Sequence, residues 1–188
     1  MTVRQTVQVV DYDKEWPKQF TAIKKMLNKE LADSVVSIEH VGSTSVPSLA
    51  GKPILDIDIV ISSMEEFPDI KRQLTNRLDY IHVGNQGVEG REVFERSYKD
   101  EFMAYNLYVC VWGSPPYRYH IEFRDYLRTH PEAVKEYAQL KRVLAVKHAD
   151  NLMAYFHEKS QFVEKILQKS EYSNKRSIKN PLAAKTQA

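Results

Sequence analysis

The stretch from Ile38 to Ile61, IEHVGSTSVPSLAGKPILDIDIVI, holds the residues whose types and spacing could do chemistry. Asp56 and Asp58 stand two apart in a strand-like run. Strand side chains alternate faces, so both carboxylates leave the same side, roughly 6–7 Å apart along the backbone. Leu55, Ile57, Ile59 and Ile61 then point the other way, into a core. Paired carboxylates hold divalent metal ions, and such ions bridge phosphates. Gly42-Ser43 follows a second apolar run and precedes Ser45-Val46-Pro47, which could open a short helix. Backbone N–H groups at such a turn, with the hydroxyls of Ser43, Thr44 and Ser45, would cradle phosphate oxygens. Glycine lets the backbone come close to an anion. Each feature alone has a plain reading: a solvated strand face for the acids, an ordinary turn for Gly-Ser. Together they make a mechanism.

Cations form the second group. Lys52 lies in the same loop, four positions before Asp56. Arg96, Arg124, Arg128, Lys141 and Lys159 occupy strand or helix positions that could converge on phosphate, where Arg grips in bidentate fashion. Their plain alternative is pairing with acids on helix surfaces. That alternative is favoured for Lys141, whereas Arg124 and Lys159, set among aromatic and aliphatic neighbours, suit either role. His40 and His120 are candidate site residues, although a histidine beside a core strand or helix is commonly structural. No His-x-x-x-His pair points to zinc. Two other phosphate motifs fail. Gly42 and Gly51 are too far apart for a P-loop and Pro53 follows Lys52, while Gly84, Gly87 and Gly90 miss the G-x-G-x-x-G spacing.

The elements that must position these groups are legible as periodic runs. Val7, Val9 and Val10 predict a short strand, then Trp16, Phe20, Ile23, Leu27 and Leu31 an amphipathic helix. A strand from Val35 runs into His40-Val41-Gly42, and Ile54 to Ile61 is the clearest strand in the chain. Phe67, Ile70, Leu74 and Leu78 predict a helix, followed by strands near Tyr80–Val83, Arg91–Tyr98 and Met103–Trp112. Ser114-Pro115-Pro116 opens a helix, proline being tolerated in a first turn. Thr129-His130-Pro131 breaks it, a second helix starts at Pro131 and a third near Asp150. The pattern reads as one α+β domain over residues 1–168, with the sheet in about 1–113 and helices in about 114–168.

Composition limits the partners. The chain has 188 residues, 27 Lys+Arg and 25 Asp+Glu, for a net charge of +2. Five of those basic residues and one acid lie in 169–188, so residues 1–168 carry a net −2. The basicity belongs to a polar tail expected to be flexible, and a nucleic-acid partner is not expected. Cys110 is the single cysteine, which excludes an internal disulfide and any cluster built of several thiolates. The longest uncharged stretch, Phe102 to Tyr117, contains Asn106, Gly113, Pro115 and Pro116 and is no membrane span. No apolar signal run opens the chain, so the expectation is a soluble cytoplasmic protein.

Gly42-Ser43 with Asp56-Ile57-Asp58 resembles the hydrophobic-Gly-Ser…Asp-hydrophobic-Asp signature of the nucleotidyltransferase superfamily, the DNA polymerase β-like fold. Within it the chain is similar to the GrpB family, through Asp13–Phe20, Ile38–Ile59, Phe123-Arg124-Asp125-Tyr126-Leu127-Arg128 with His130-Pro131, Tyr137-x-x-Leu140-Lys141 and Tyr155-x-x-x-Lys159. The resemblance implies a small mixed sheet with helices on one face and a C-terminal helical extension. It also implies Gly42 and Ser43 at a triphosphate, and Asp56 and Asp58 on Mg²⁺ (or Mn²⁺). Relatives carry a His-Leu-His-Val strand where this chain has Asn106-Leu107-Tyr108-Val109. Active superfamily members add a third carboxylate from a nearby strand, yet Met103 to Trp112 holds no acid; Glu39, Glu92, Glu95 and Glu122 are the candidates. The expected activity is metal-dependent transfer of a nucleotidyl group from an NTP to an unidentified acceptor. Asp56 and Asp58 would carry it, with Gly42, Ser43, Thr44, Lys52, Arg124 and Lys159 on the substrate. The alternatives are a non-catalytic nucleotide- or phosphometabolite-binding module, linked to coenzyme A through relatives fused to dephospho-CoA kinase, and an interaction domain.

Overall fold

A computed structural model of the chain describes residues 8–31, 34–97 and 101–173. Five strands form one mixed sheet: β1 (Ser37–Val41), β2 (Leu55–Ile61), β3 (Tyr80–Gly84), β4 (Arg91–Arg96) and β5 (Tyr105–Val111), in the order β1-β2-β5-β4-β3. β2 lies antiparallel to β1 and parallel to β5, and β4 runs antiparallel to both β5 and β3. A parallel pair needs a long crossover, here supplied by α2 (Phe67–Arg77) and the β3–β4 hairpin.

The sheet has two unlike faces, and β2 shows why. Leu55, Ile57, Ile59 and Ile61 join Leu107 and Val109 of β5 under α1 (Glu15–Leu31) and α2. Trp16, Ile23, Leu27 and Leu31 of α1 close that core, with Ile70 and Leu74 of α2. The helices form because their apolar residues recur every three or four positions and must cover this face. Asp56, Asp58 and Val60 alternate onto the other face, beside Tyr108 and Cys110 of β5.

Three further helices build a second core. α3 (Pro115–Thr129) starts against Val60 and Cys110 through Tyr117, so it closes over part of the acidic face while α1 and α2 hold the opposite one. α4 (Pro131–Lys147) and α5 (Leu152–Ser173) pack on it through Phe123, Tyr137, Phe162 and Ile166. Val46, Leu49 and Ala50, from the loop between β1 and β2, are buried in this helical core. The loop is thereby gripped from both sides.

Boundaries differ from the sequence expectation in instructive places. Only Val10 of the first predicted strand pairs, exchanging 2.9 Å backbone hydrogen bonds with Gly51, and Val7 lies outside the described residues. β4 ends at Arg96, with Tyr98 outside the described residues. The short helix expected from Ser45-Val46-Pro47 is a single 3-10 turn at Ser43–Ser45. α5 continues to Ser173, five residues beyond the expected end, because Ser170 still has a buried place beside Glu122. The tail from 174 onward lies outside the described residues. Among the described residues no helix is long and apolar enough to cross a membrane.

Candidate functional site

Gly42 leaves β1 at φ 69° and ψ −170°, backbone that L side chains rarely adopt. A Cβ there would lie 2.1 Å from Asp56 Oδ2. No other residue fits, and the absence of a side chain sets the Asp56 carboxylate directly against the turn. Ser43–Ser45 then coil once, with the Ser45 Oγ donating to the Gly42 carbonyl at 2.7 Å. Asp56 and the Gly42-Ser43 turn open into one cleft of about 330 Å³, shared with Tyr108, His120 and Lys159.

The two acids sit differently. Asp56 lines the cleft and accepts a 2.8 Å hydrogen bond from Asn106 Nδ2, its register partner on β5. Burial raises its pKa; the Asn106 bond and the charges of His120 and Lys159 only partly oppose that. Asp58 is fully buried beneath, and His120 Nδ1 lies 2.8 and 3.1 Å from its two oxygens. Burial would push the His120 imidazole down, but the Asp58 hydrogen bond and charge, with Asp56 behind, hold its pKa above the ordinary value.

Cations surround the turn. Lys159 Nζ lies 5.2 Å and Lys52 Nζ 5.1 Å from the Phe156 ring centre, so both ammonium groups share one aromatic wall. Burial lowers the pKa of each. Lys141 departs from its expected surface pairing: it is 2 % exposed and donates to Ser43 Oγ at 3.0 Å and to the Ala50 carbonyl. Burial, then the charges of Lys159 and Arg142, push its pKa down to about 7. Its spacing held the signal, since Val134, Tyr137, Lys141 and Leu144 form one buried helical stripe.

Other candidates point elsewhere. Thr44 is buried and bonded to His40 Nε2 at 2.9 Å instead of lining the cleft. His40 stacks on Phe20 and is held neutral by burial, its pKa near 4. Arg124 is committed to Glu39 at 2.9 Å, to Asp125 at 2.7 Å and to the His40 carbonyl at 3.2 Å. Arg128 clamps the back of the turn through the Ser45 carbonyl at 2.8 Å, and Arg96 bonds Tyr105 at 2.7 Å. Among the third-acid candidates, Glu39 is the register partner of Asp58 and so shares its face, but Arg124 engages it. Glu92 pairs with His82, Glu122 with Arg118, and Glu95 lies on the β3–β4 hairpin opposite Ile81. The β5 position beside Asp56 is the neutral Asn106.

A family model described as GrpB protein matches residues 6–169. The chain belongs to the GrpB family. Its GrpB relatives include the UPF0157 protein YqkA of Bacillus subtilis, 32% identical over 86% of this chain and 46% of that protein, so the chain spans under half of that relative. The glutamate-rich protein GrpB of Alkalihalophilus pseudofirmus is 31% identical over 86% of this chain and 94% of its own length. A dephospho-CoA kinase of Mycolicibacterium paratuberculosis is 25% identical over 81% of this chain and 43% of its own. The crystal structure of conserved protein GrpB from Enterococcus faecalis superposes with a TM-score of 0.75 at 30% identity, covering 87% and 96% of the two chains. The Cid1 poly(U) polymerase bound to MgATP gives a TM-score of 0.51 at 11% identity, covering 74% and 43%. At that identity the likeness is one of fold: the GrpB chain shares the α+β fold of this stretch of Cid1.

Proposed function

We propose that this GrpB chain is a metal-dependent nucleotidyltransferase acting on an NTP and an acceptor still to be found. One observation carries the reading: Asp56 is pressed against Gly42 in a cleft that also receives Ser43 and Lys159. The turn that would hold phosphate and the acid that would hold metal are therefore one unit.

The donor set fits a hard divalent ion, since Asp56 and Asp58 offer carboxylate oxygens from one sheet face and Gly42 keeps the space above Asp56 free of side chain. Bound Mg²⁺ or Mn²⁺ would neutralise phosphate charge and polarise the reacting phosphorus. This chain's own residues do the rest. The Ser43 hydroxyl and the backbone of the turn hold outer phosphate oxygens. Lys159 supplies positive charge in the cleft, Lys52 adds to it from beside Phe156, and Lys141 fixes Ser43 from behind. Phe156 and Tyr108 line the space between.

The test is Mg²⁺- or Mn²⁺-dependent pyrophosphate release from ATP, GTP, CTP and UTP with a panel of acceptors. Activity should vanish in Asp56→Asn and Asp58→Asn, and turnover unchanged in both would sink the reading. Asn106 favours a second one, in which the cleft binds a nucleotide or a coenzyme-A-type phosphometabolite without turnover. Binding that persists with every acceptor silent supports that version.

A further inference from the structure

Below the cleft lies a set of ligands that shares Asp58 with the Asp56/Asp58 reading and adds two groups that reading does not use. The Asp58 carboxylate, the Cys110 thiol and the His120 imidazole each offer one atom, and the three lie within 4.8 Å of one another. They come from β2, β5 and α3, so only the folded chain assembles them. Asp58 and Cys110 have no exposure, and His120 separates them from the cleft that it lines. The His120 Nδ1 sits 2.8 and 3.1 Å from the two Asp58 oxygens, near the place a chelated cation would take.

We propose that Asp58, Cys110 and His120 bind a thiophilic divalent ion of the Zn²⁺ or Co²⁺ type, a second ion that shares the Asp58 carboxylate with the ion of the nucleotide cleft. The donor chemistry decides the class. Oxygen, nitrogen and sulfur together suit borderline ions and are a poor match for Mg²⁺. Zinc–ligand bonds of about 2.0–2.3 Å place tetrahedral ligands roughly 3.3–3.8 Å apart, so the three groups need to close by about 1.5 Å at most. His120 lines the cleft, which gives an ion its route to the three ligands. Burial raises the pKa of the Cys110 thiol, and a coordinating metal takes the thiolate, so its proton leaves to solvent together with the Nδ1 proton. Two negative ligands then balance the ion's charge. Arg91, 5.0 Å from the Tyr108 ring centre, is the opposing cation nearby.

The site shares Asp58 with the nucleotide reading but takes its sulfur and nitrogen ligands from outside it, and nucleotide-free protein tests it. Chelator-treated full chain is titrated with Co²⁺, and the thiolate-to-cobalt charge-transfer absorption is followed. The expected result is one Co²⁺ per chain, displaced by Zn²⁺ and not by Mg²⁺. Cys110→Ser and Cys110→Ala should lose the band, and His120→Asn should weaken binding at least about tenfold. Wild-type chain that shows no band at saturating Co²⁺ overturns the proposal, whatever the variants do. A band that survives in a folded Cys110 variant overturns it as well. Parallel Mg²⁺–ATP binding separates the two readings: binding without a cobalt band costs only this site, and a band without nucleotide binding costs only the transferase.

Discussion

Replacing Gly42 by alanine puts a Cβ 2.1 Å from Asp56 Oδ2, 2.9 Å from its Cγ and 3.0 Å from its Cβ, at a φ of +69°. The left-handed backbone alone costs an L residue about 1–2 kcal/mol. Relieving the clash requires Asp56 to turn away and give up the Asn106 hydrogen bond, worth roughly 0.5–1.5 kcal/mol. The sum is about 1.5–3.5 kcal/mol, or roughly 3–14 °C in melting temperature for a chain of this size. Thermal unfolding of a four-member cycle reads it: wild type, Gly42→Ala, Asp56→Ala and the double variant. Asp56→Ala alone should be close to neutral, because burial disfavours the lone carboxylate it removes. In the double variant the steric part disappears and the conformational part remains, leaving a coupling of about 0.5–1.5 kcal/mol. Purely additive effects, or a Gly42→Ala melt that matches wild type, would show that the turn and the acid do not touch, and the cleft as described would be refuted.

Four further perturbations follow from the same geometry. Between pH 7 and the ordinary lysine range the unfolded chain holds a proton that folded Lys141 lacks, so stability rises with pH there, and Lys141→Met should flatten that slope in chemical denaturation. An anion that draws a proton onto Lys141 should also bind up to about tenfold more weakly per pH unit above 7, by calorimetry, levelling off below it. Asn106→Asp replaces a hydrogen-bond donor with a second charge beside Asp56; it should destabilise the apo chain by roughly 1–3 kcal/mol, with Mn²⁺ restoring the loss in a thermal-shift assay. Asp58→Asn removes the charge that holds His120 protonated, so the imidazole pKa seen by NMR should fall; the stability that wild type has below the His120 pKa and loses above it should go with it.

Local pattern carried most of the fold. Alternation in Leu55–Ile61 told which face Asp56 and Asp58 share, and three-or-four spacing located α1 and α2, because one-sided burial is what both patterns report, while prolines marked the starts of α3 and α4. The Gly-Ser turn and the acids were legible as a pair for the same reason. What stayed hidden depends on contacts distant in sequence. The pairing of His120 with Asp58 spans 62 residues, and that of Lys141 with Ser43 spans 98. Nothing near His120 or Cys110 in sequence suggests that they meet. Lys141 is the partial exception: its place in a buried stripe was readable, but a charged residue in such a stripe is most simply taken for a surface pair until Ser43 and Ala50 are seen to receive it. Thr44 and Arg124 went the other way, since hydroxyl and guanidinium chemistry suited a phosphate while His40, Glu39 and Asp125 were nearer.

The charges around the cleft share a direction that argues for its ligand. Burial lifts Asp56 above the ordinary carboxylate pKa and depresses Lys52, Lys141 and Lys159 below the ordinary lysine value. Each group is held where its charged form is disfavoured, and no partner on the protein fully repairs that. A cation alone relieves the acid and repels the lysines; a phosphate alone does the reverse. A ligand carrying both, a polyphosphate with its divalent ion, relieves all four together, so each component strengthens the binding of the other. An ordinary solvated strand face has no reason to accumulate opposing strains of this kind around a turn that a single methyl group would block.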